Sequence, residues 1–155
     1  MPTQRTKILV AIDDSKFSKA ALNTVAAQHN PAKSTVRVLH VVEPVELPYY
    51  PELTAPYPAS FGDINKKRLE AGRRLADRAV ARLRAAGFQA EPAVRPGTAR
   101  SLIVDTARKW HADLIVVGSH GRKGLARILL GSVSEYVTHH AHCSVEIVRS
   151  KSRKR

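Results

Sequence analysis

The stretch richest in chemistry runs Gly118-Ser119-His120-Gly121-Arg122-Lys123-Gly124-Leu125-Ala126-Arg127-Ile128-Leu129-Leu130-Gly131-Ser132-Val133-Ser134. Two residues separate Gly118 from Gly121, nine separate Gly121 from Gly131, and Ser132 follows at once. Glycines let a backbone approach a bulky anion closely and take positive φ. Gly131-Ser132 opens a segment with helical apolar spacing, where free N–H groups and the helix dipole favour negative charge. Arg122, Lys123 and Arg127 add positive charge between the glycines. The chemistry these residues suit is the holding of a phosphate.

Two commoner phosphate cradles are excluded. No Gly-x-x-x-x-Gly-Lys-Ser/Thr occurs, and the first apolar run leads into Asp13-Asp14-Ser15 rather than Gly-x-Gly-x-x-Gly. A mononucleotide therefore fits better than a dinucleotide of the Rossmann type. Each position also has a purely structural explanation. Ser132 and Glu135 have capping-box spacing, the glycines suit turns, and Asp13, next to Asp14 and Ser15, suits a helix entry.

Five short β-like runs must position these residues: 7–12, 35–42, 89–95, 113–117 and 144–148. Most are rich in Val, Ile and Leu without strict alternation, as in strands covered on both faces. Helical stripes fill the intervals: Phe17, Ala20, Ala21 and Val25; Leu69, Gly72, Ala76, Ala79, Val80 and Leu83; Ile103, Ala107 and Trp110; Val133, Tyr136, Val137 and Ala141. Strands alternating with helices predict an α/β fold, a mainly parallel sheet between helices. Such sheets bind ligands beyond the carboxyl ends of their strands, where the strand order reverses. The segment from Glu43 to Phe61 carries five prolines and three of the four tyrosines. Its length marks it as a lid or an excursion.

The chain's 155 residues suit one domain. The longest apolar run, Ile8 to Ile12, is far short of the ~18 residues that span a bilayer. No signal-peptide core precedes it, and the single Cys143 forms no internal disulfide, so the expected location is the cytoplasm. The net charge of +13 invites a nucleic-acid reading. Seven of the 26 basic side chains, however, sit at the termini: Arg5, Lys7, Arg149, Lys151, Arg153, Lys154 and Arg155.

Gly118-x-x-Gly121-x9-Gly131-Ser132, together with Ile8-Leu9-Val10-Ala11-Ile12-Asp13 and the ending from Gly131 through Val145, strongly resembles the universal stress protein family. The resemblance runs from about residue 7 to 149, leaving 1–6 as a flexible N-terminus and 150–155 as a basic tail. It implies a single-domain open sheet of five parallel strands in order 3-2-1-4-5 with helices on both faces, as in adenine nucleotide alpha hydrolases. It implies membership of the subgroup that keeps the glycine motif and binds ATP, or ADP or AMP, with Mg²⁺. By that similarity Ala11 and Asp13 meet the base and ribose region, with Asp13 the metal candidate, and the backbone of Val41 meets the adenine. Gly118, Gly121, Gly131, Ser132, Val133 and Ser134 surround the ribose and phosphates, with His120 and Arg122 close by. It further implies a homodimer through the edge strand 144–148, where Glu146 stands in place of the more usual apolar residue.

The expected function is thus a nucleotide-dependent stress or signalling module. Two alternatives are a nucleic-acid-binding module and a slow ATPase. Lys66 to Arg84 holds eight basic residues, with Arg74, Arg78 and Arg82 in one stripe, but a solvated helix face explains them without a partner. For hydrolysis the motif offers only His120 as a base, so no catalytic residue is assigned. His139, His140, His142 and Cys143 resemble metal ligands, yet adjacent helical residues point about 100° apart, and histidines suit a helix C-terminus for dipole reasons. Cys143 reads as a small core residue.

Overall fold

The computed structural model describes residues 4–46, 60–122 and 129–150. Five strands, β1 (Thr6–Ile12), β2 (Ser34–Val42), β3 (Gln89–Pro96), β4 (Leu114–Gly118) and β5 (Ser144–Val148), alternate with four α-helices. These are α1 (Lys16–Gln28), α2 (Ser60–Ala85), α3 (Ala99–Trp110) and α4 (Ser132–His140). All strand pairings are parallel and the order is β3-β2-β1-β4-β5, as the sequence resemblance implied. Strand ends differ from the sequence reading by a residue or so, and β4 extends to include Gly118.

Side-chain parity sorts the core into two layers. Ile8, Val10 and Ile12 of β1, with Val36, Val38 and Val116, pack under Ala21, Leu22 and Val25 of α1 and Ala79, Val80 and Leu83 of α2. Leu9, Leu39, Ile115 and Val117 pack against Ile103, Val104 and Ala107 of α3 and Val137 of α4. Both faces of the three central strands are thereby dry, which explains their missing polar alternation.

The phase of α1 differs from the expected stripe. Its buried residues are Ser18, Ala21, Leu22 and Val25, while Phe17 and Ala20 are only half-buried. Ser18 tolerates burial because its hydroxyl donates to the carbonyls of Asp13 and Ser15. Cys143 is partly buried at the rim of the second layer rather than inside it. Burial pushes its thiol above the ordinary value of 9.0, and the Asp113 carboxylate adds to the rise while a backbone hydrogen bond opposes it. Iodoacetamide at pH 8 should accordingly label the native chain more slowly than the urea-unfolded one. The unfolded thiol ionises first, so this group's contribution to stability is complete below about pH 9 and is lost as pH rises further. Equal labelling rates would contradict the assignment.

Glu146 also finds its reason. It faces the α1 layer, where its carboxylate lies 3.3 Å from His29 Nε2 at the end of α1. Val145 and Ile147 turn the other way, into the α3–α4 layer.

Candidate functional site

At the carboxyl end of the sheet the chain leaves β1 toward one face and β4 toward the other, opening a crevice between them. The loop from β1 into α1 is organised by Ser15. It is the N-cap, its hydroxyl accepting from Ser18 N–H at 3.1 Å. Asp13 is not the cap. Its Oδ1 accepts from Ser15 N–H at 2.9 Å, and its Oδ2 accepts from Arg122 N–H at 3.2 Å. One carboxylate thus ties the end of β1 to the loop that follows β4.

That loop is shaped by close approach. A Cβ on Gly118 would lie 2.7 Å from the Phe17 carbonyl carbon, one on Gly121 3.1 Å from Asp13 Oδ2, and one on Gly131 3.1 Å from His120 Cα. The Ser119 carbonyl accepts from Gly131 N–H at 2.8 Å and from the Ser134 hydroxyl at 3.0 Å. These two bonds fold the start of α4 back onto the end of β4.

The capping box that the spacing of Ser132 and Glu135 offered as a purely structural alternative is not formed. Gly131 is the N-cap, no side chain caps the helix, and Ser132 is its exposed first residue. Because Ser134 turns its hydroxyl to the carbonyls of Ser119 and Gly131, the helix begins one residue earlier than a serine cap would allow. The first N–H to bond back along the chain is that of Glu135, to Gly131 O at 2.9 Å. Among the described residues the N–H groups of Ser132, Val133 and Ser134 ahead of it have no acceptor, and all three residues line the crevice. Beside them His120 holds Ser119 Oγ through Nδ1 at 3.0 Å and packs its ring on Phe17. Its Nε2 is buried with no hydrogen-bond partner among the described residues.

All eleven residues expected at the site, Ala11, Asp13, Val41, Gly118, His120, Gly121, Arg122, Gly131, Ser132, Val133 and Ser134, line one cleft of about 960 Å³. That is near the upper end of the usual range for small-molecule sites, about 300–1,000 Å³. Lys123 and Arg127 lie outside the described residues, as do residues 47–59 of the Pro/Tyr-rich segment and 151–155 of the basic tail.

Sequence reasoning missed one wall. His40 on β2 is 5% exposed, and Nδ1 lies 2.8 Å from the Ile12 carbonyl, just before Asp13. Opposite it stands Gly72 of α2, where a Cβ would meet the His40 ring and Val42 at 2.8 Å. Arg68 and Arg78, read from sequence as part of a solvated face, border the same cleft. A histidine inside the otherwise apolar end of the 35–42 run was the available signal. Among the described residues no group of three or more His, Cys, Asp or Glu converges as a metal site.

The topology and the crevice define a doubly wound α/β protein with an anion-ready cleft at its strand switch point. The family model described as Universal stress protein family matches residues 4–149, and the chain belongs to that family. It is 37% identical over 149 residues to Universal stress protein Sll1388 of Synechocystis sp., covering 92% of this chain and 97% of that protein. Among solved structures, that of the hypothetical protein MJ0577 superposes with a TM-score of 0.82 at 28% identity, covering 96% and 99% of the two chains. A universal stress protein family member from Arabidopsis thaliana, solved with AMP bound, superposes at 0.69 with 22% identity, covering 96% and 94%.

Proposed function

We propose that the cleft binds an adenine nucleotide, ATP or its di- or monophosphate, and that the chain serves as a nucleotide-dependent stress or signalling module in the cytoplasm. The observation that carries the reading is the convergence at one crevice of Asp13, the three motif glycines and the open N–H groups at the start of α4. Hydroxyls and N–H groups at a helix start suit phosphate oxygens, and a carboxylate opposite suits ribose hydroxyls. The AMP held by the Arabidopsis relative supports the ligand class. No helix of the described residues is long and apolar enough to cross a membrane.

Magnesium fits this site in one way. Each Asp13 oxygen already accepts one N–H bond and keeps further acceptor capacity. One carboxylate does not cage a cation alone, but Mg²⁺ is commonly held by one or two carboxylates together with phosphate oxygens and water. Asp13 would hold a Mg²⁺ that arrives with the nucleotide, and the metal would neutralise phosphate charge there.

Calorimetric titration with MgATP tests the reading. The wild-type chain should bind, and Gly121→Val should bind at least tenfold more weakly, because its side chain displaces Asp13 Oδ2. Gly121 is exposed and the Arg122 N–H bond to Asp13 Oδ2 is what the side chain disturbs, so the variant should still unfold cooperatively, with a melting temperature lowered no further than that of Asp13→Ala. No heat with the wild-type protein would end the proposal.

We further infer a homodimer through β5, an edge strand whose outer backbone groups no other strand pairs among the described residues. Sedimentation equilibrium should return twice the 17.0 kDa chain mass. A monomer at micromolar concentration would exclude this arrangement.

A further inference from the structure

The cleft has two lobes, because the strands that floor it present alternate residues to opposite faces. Ala11, Val41 and Val117 face the α3–α4 side, together with Gly131 to Ser134. Those residues, with Asp13 at the crest, account for the nucleotide site proposed above. Ile12, His40 and Val42 face the other way, toward α1 and α2, and this second lobe is continuous with the first. Nothing in the nucleotide reading uses it.

Three features mark the second lobe as a site. His40 is almost wholly buried, and because Ile12 O can only accept, Nδ1 carries the ring hydrogen. Nε2 has no hydrogen-bond partner among the described residues, in a side chain that lines the cleft. Arg68 and Arg78 stand on the α2 border, and among the described residues neither pairs with a carboxylate. They are ten residues apart, roughly 15 Å along the helix axis, a span suited to an extended anion rather than one phosphate. Leu75 and Ala71 supply apolar wall between them. Two carboxylates qualify the charge. Asp14 is exposed at the border of this lobe, and Glu43 also lines the cleft but accepts from Ala99 N–H at the start of α3, on the other side.

We propose that the α1–α2 lobe is a second nucleoside-phosphate subsite, so that the cleft accepts a dinucleoside polyphosphate with one nucleoside in each lobe. This rests on the nucleotide reading of the first lobe. The phosphate chain crosses the crest at Asp13, and Arg68 and Arg78 neutralise its far half. An amine or ribose hydroxyl of the second nucleoside donates to His40 Nε2. A mononucleotide fills the first lobe and leaves these three groups unused.

Calorimetry of the full chain with ATP and with diadenosine tetraphosphate, both with Mg²⁺, tests this. The wild-type protein should bind the dinucleotide at least tenfold more tightly than ATP. The double variant Arg68→Gln/Arg78→Gln should lose that gain and keep its ATP affinity within about twofold, that is, within roughly 0.4 kcal/mol. Arg74→Gln/Arg82→Gln removes the same charge from the exposed stripe and should keep the gain. Equal affinity for the two ligands in the wild-type protein overturns the subsite while leaving ATP binding intact. A gain that survives in Arg68→Gln/Arg78→Gln, or that is lost equally in Arg74→Gln/Arg82→Gln, overturns it as well. Failure of both ligands to bind overturns the subsite together with the nucleotide reading.

Discussion

Gly118→Val should abolish the stable native state or lower its urea midpoint severely, and Gly118→Ala should already cause a clear loss. Gly118 ends β4 beneath the first turn of α1, and a Cβ there would sit 2.7 Å from the Phe17 carbonyl carbon and 2.8 Å from both its oxygen and its Cβ. Two of those atoms are backbone, so no rotamer change relieves the contact. The helix would have to lift from the sheet at the place where Ser15 caps it and Ser18 anchors it to Asp13. Overpacking a yielding core costs about 1–3 kcal/mol, and an unyielding backbone puts this case at or beyond the upper end. Set against a total stability of about 5–15 kcal/mol for a single domain, that loss is large. Urea melts of both variants measure it, and midpoints equal to wild type would refute the packing argument.

Asp13→Ala should weaken MgATP binding by tenfold to a hundredfold and lower stability by about 2 kcal/mol. A hydrogen bond to a charged acceptor contributes about 1.5–3 kcal/mol. Asp13 accepts two, from Ser15 N–H and Arg122 N–H, but is partly exposed, which reduces the sum. Without the carboxylate the loop after β4 loses its tether to β1. Asp13→Asn retains one acceptor oxygen and should fall between wild type and alanine in both measurements. Calorimetry and urea melts on the same preparations separate the two effects. Full ATP affinity in Asp13→Ala would remove Asp13 from the site.

The architecture was legible because each strand and helix repeats one physical pattern. Ile8 to Ile12 and Leu114 to Val117 are apolar on both faces because both faces are covered, and α2 shows its stripe of small residues because it lies close on β2. The phase of α1 was less legible, since Ser18 is buried by virtue of hydrogen bonds to carbonyls that no periodicity reveals. The capping box failed for a similar reason: the sequence spacing of Ser132 and Glu135 is right, but a tertiary bond from Ser134 to Ser119 O sets where the helix begins. The glycine motif marked the first lobe of the cleft. His40, Arg68 and Arg78 did not stand out, because their meeting depends on how α2 crosses β2, which is a matter of packing rather than spacing.

The position of β1 has a consequence for how the chain is made. β1 leaves the ribosome before the other four strands and is also the centre of the sheet, pairing Ile8 with Val36 on one side and with Leu114 on the other. The first partner follows within the same supersecondary unit. The second lies about a hundred residues further on, roughly 5–20 s of translation at about 5–20 residues per second. Through that interval the nascent β1–β2–β3 unit carries an open, apolar strand edge that a neighbouring nascent chain could pair with. Vectorial synthesis therefore makes the arrival of β4, the strand that also completes the crevice, the step that closes the aggregation-prone edge.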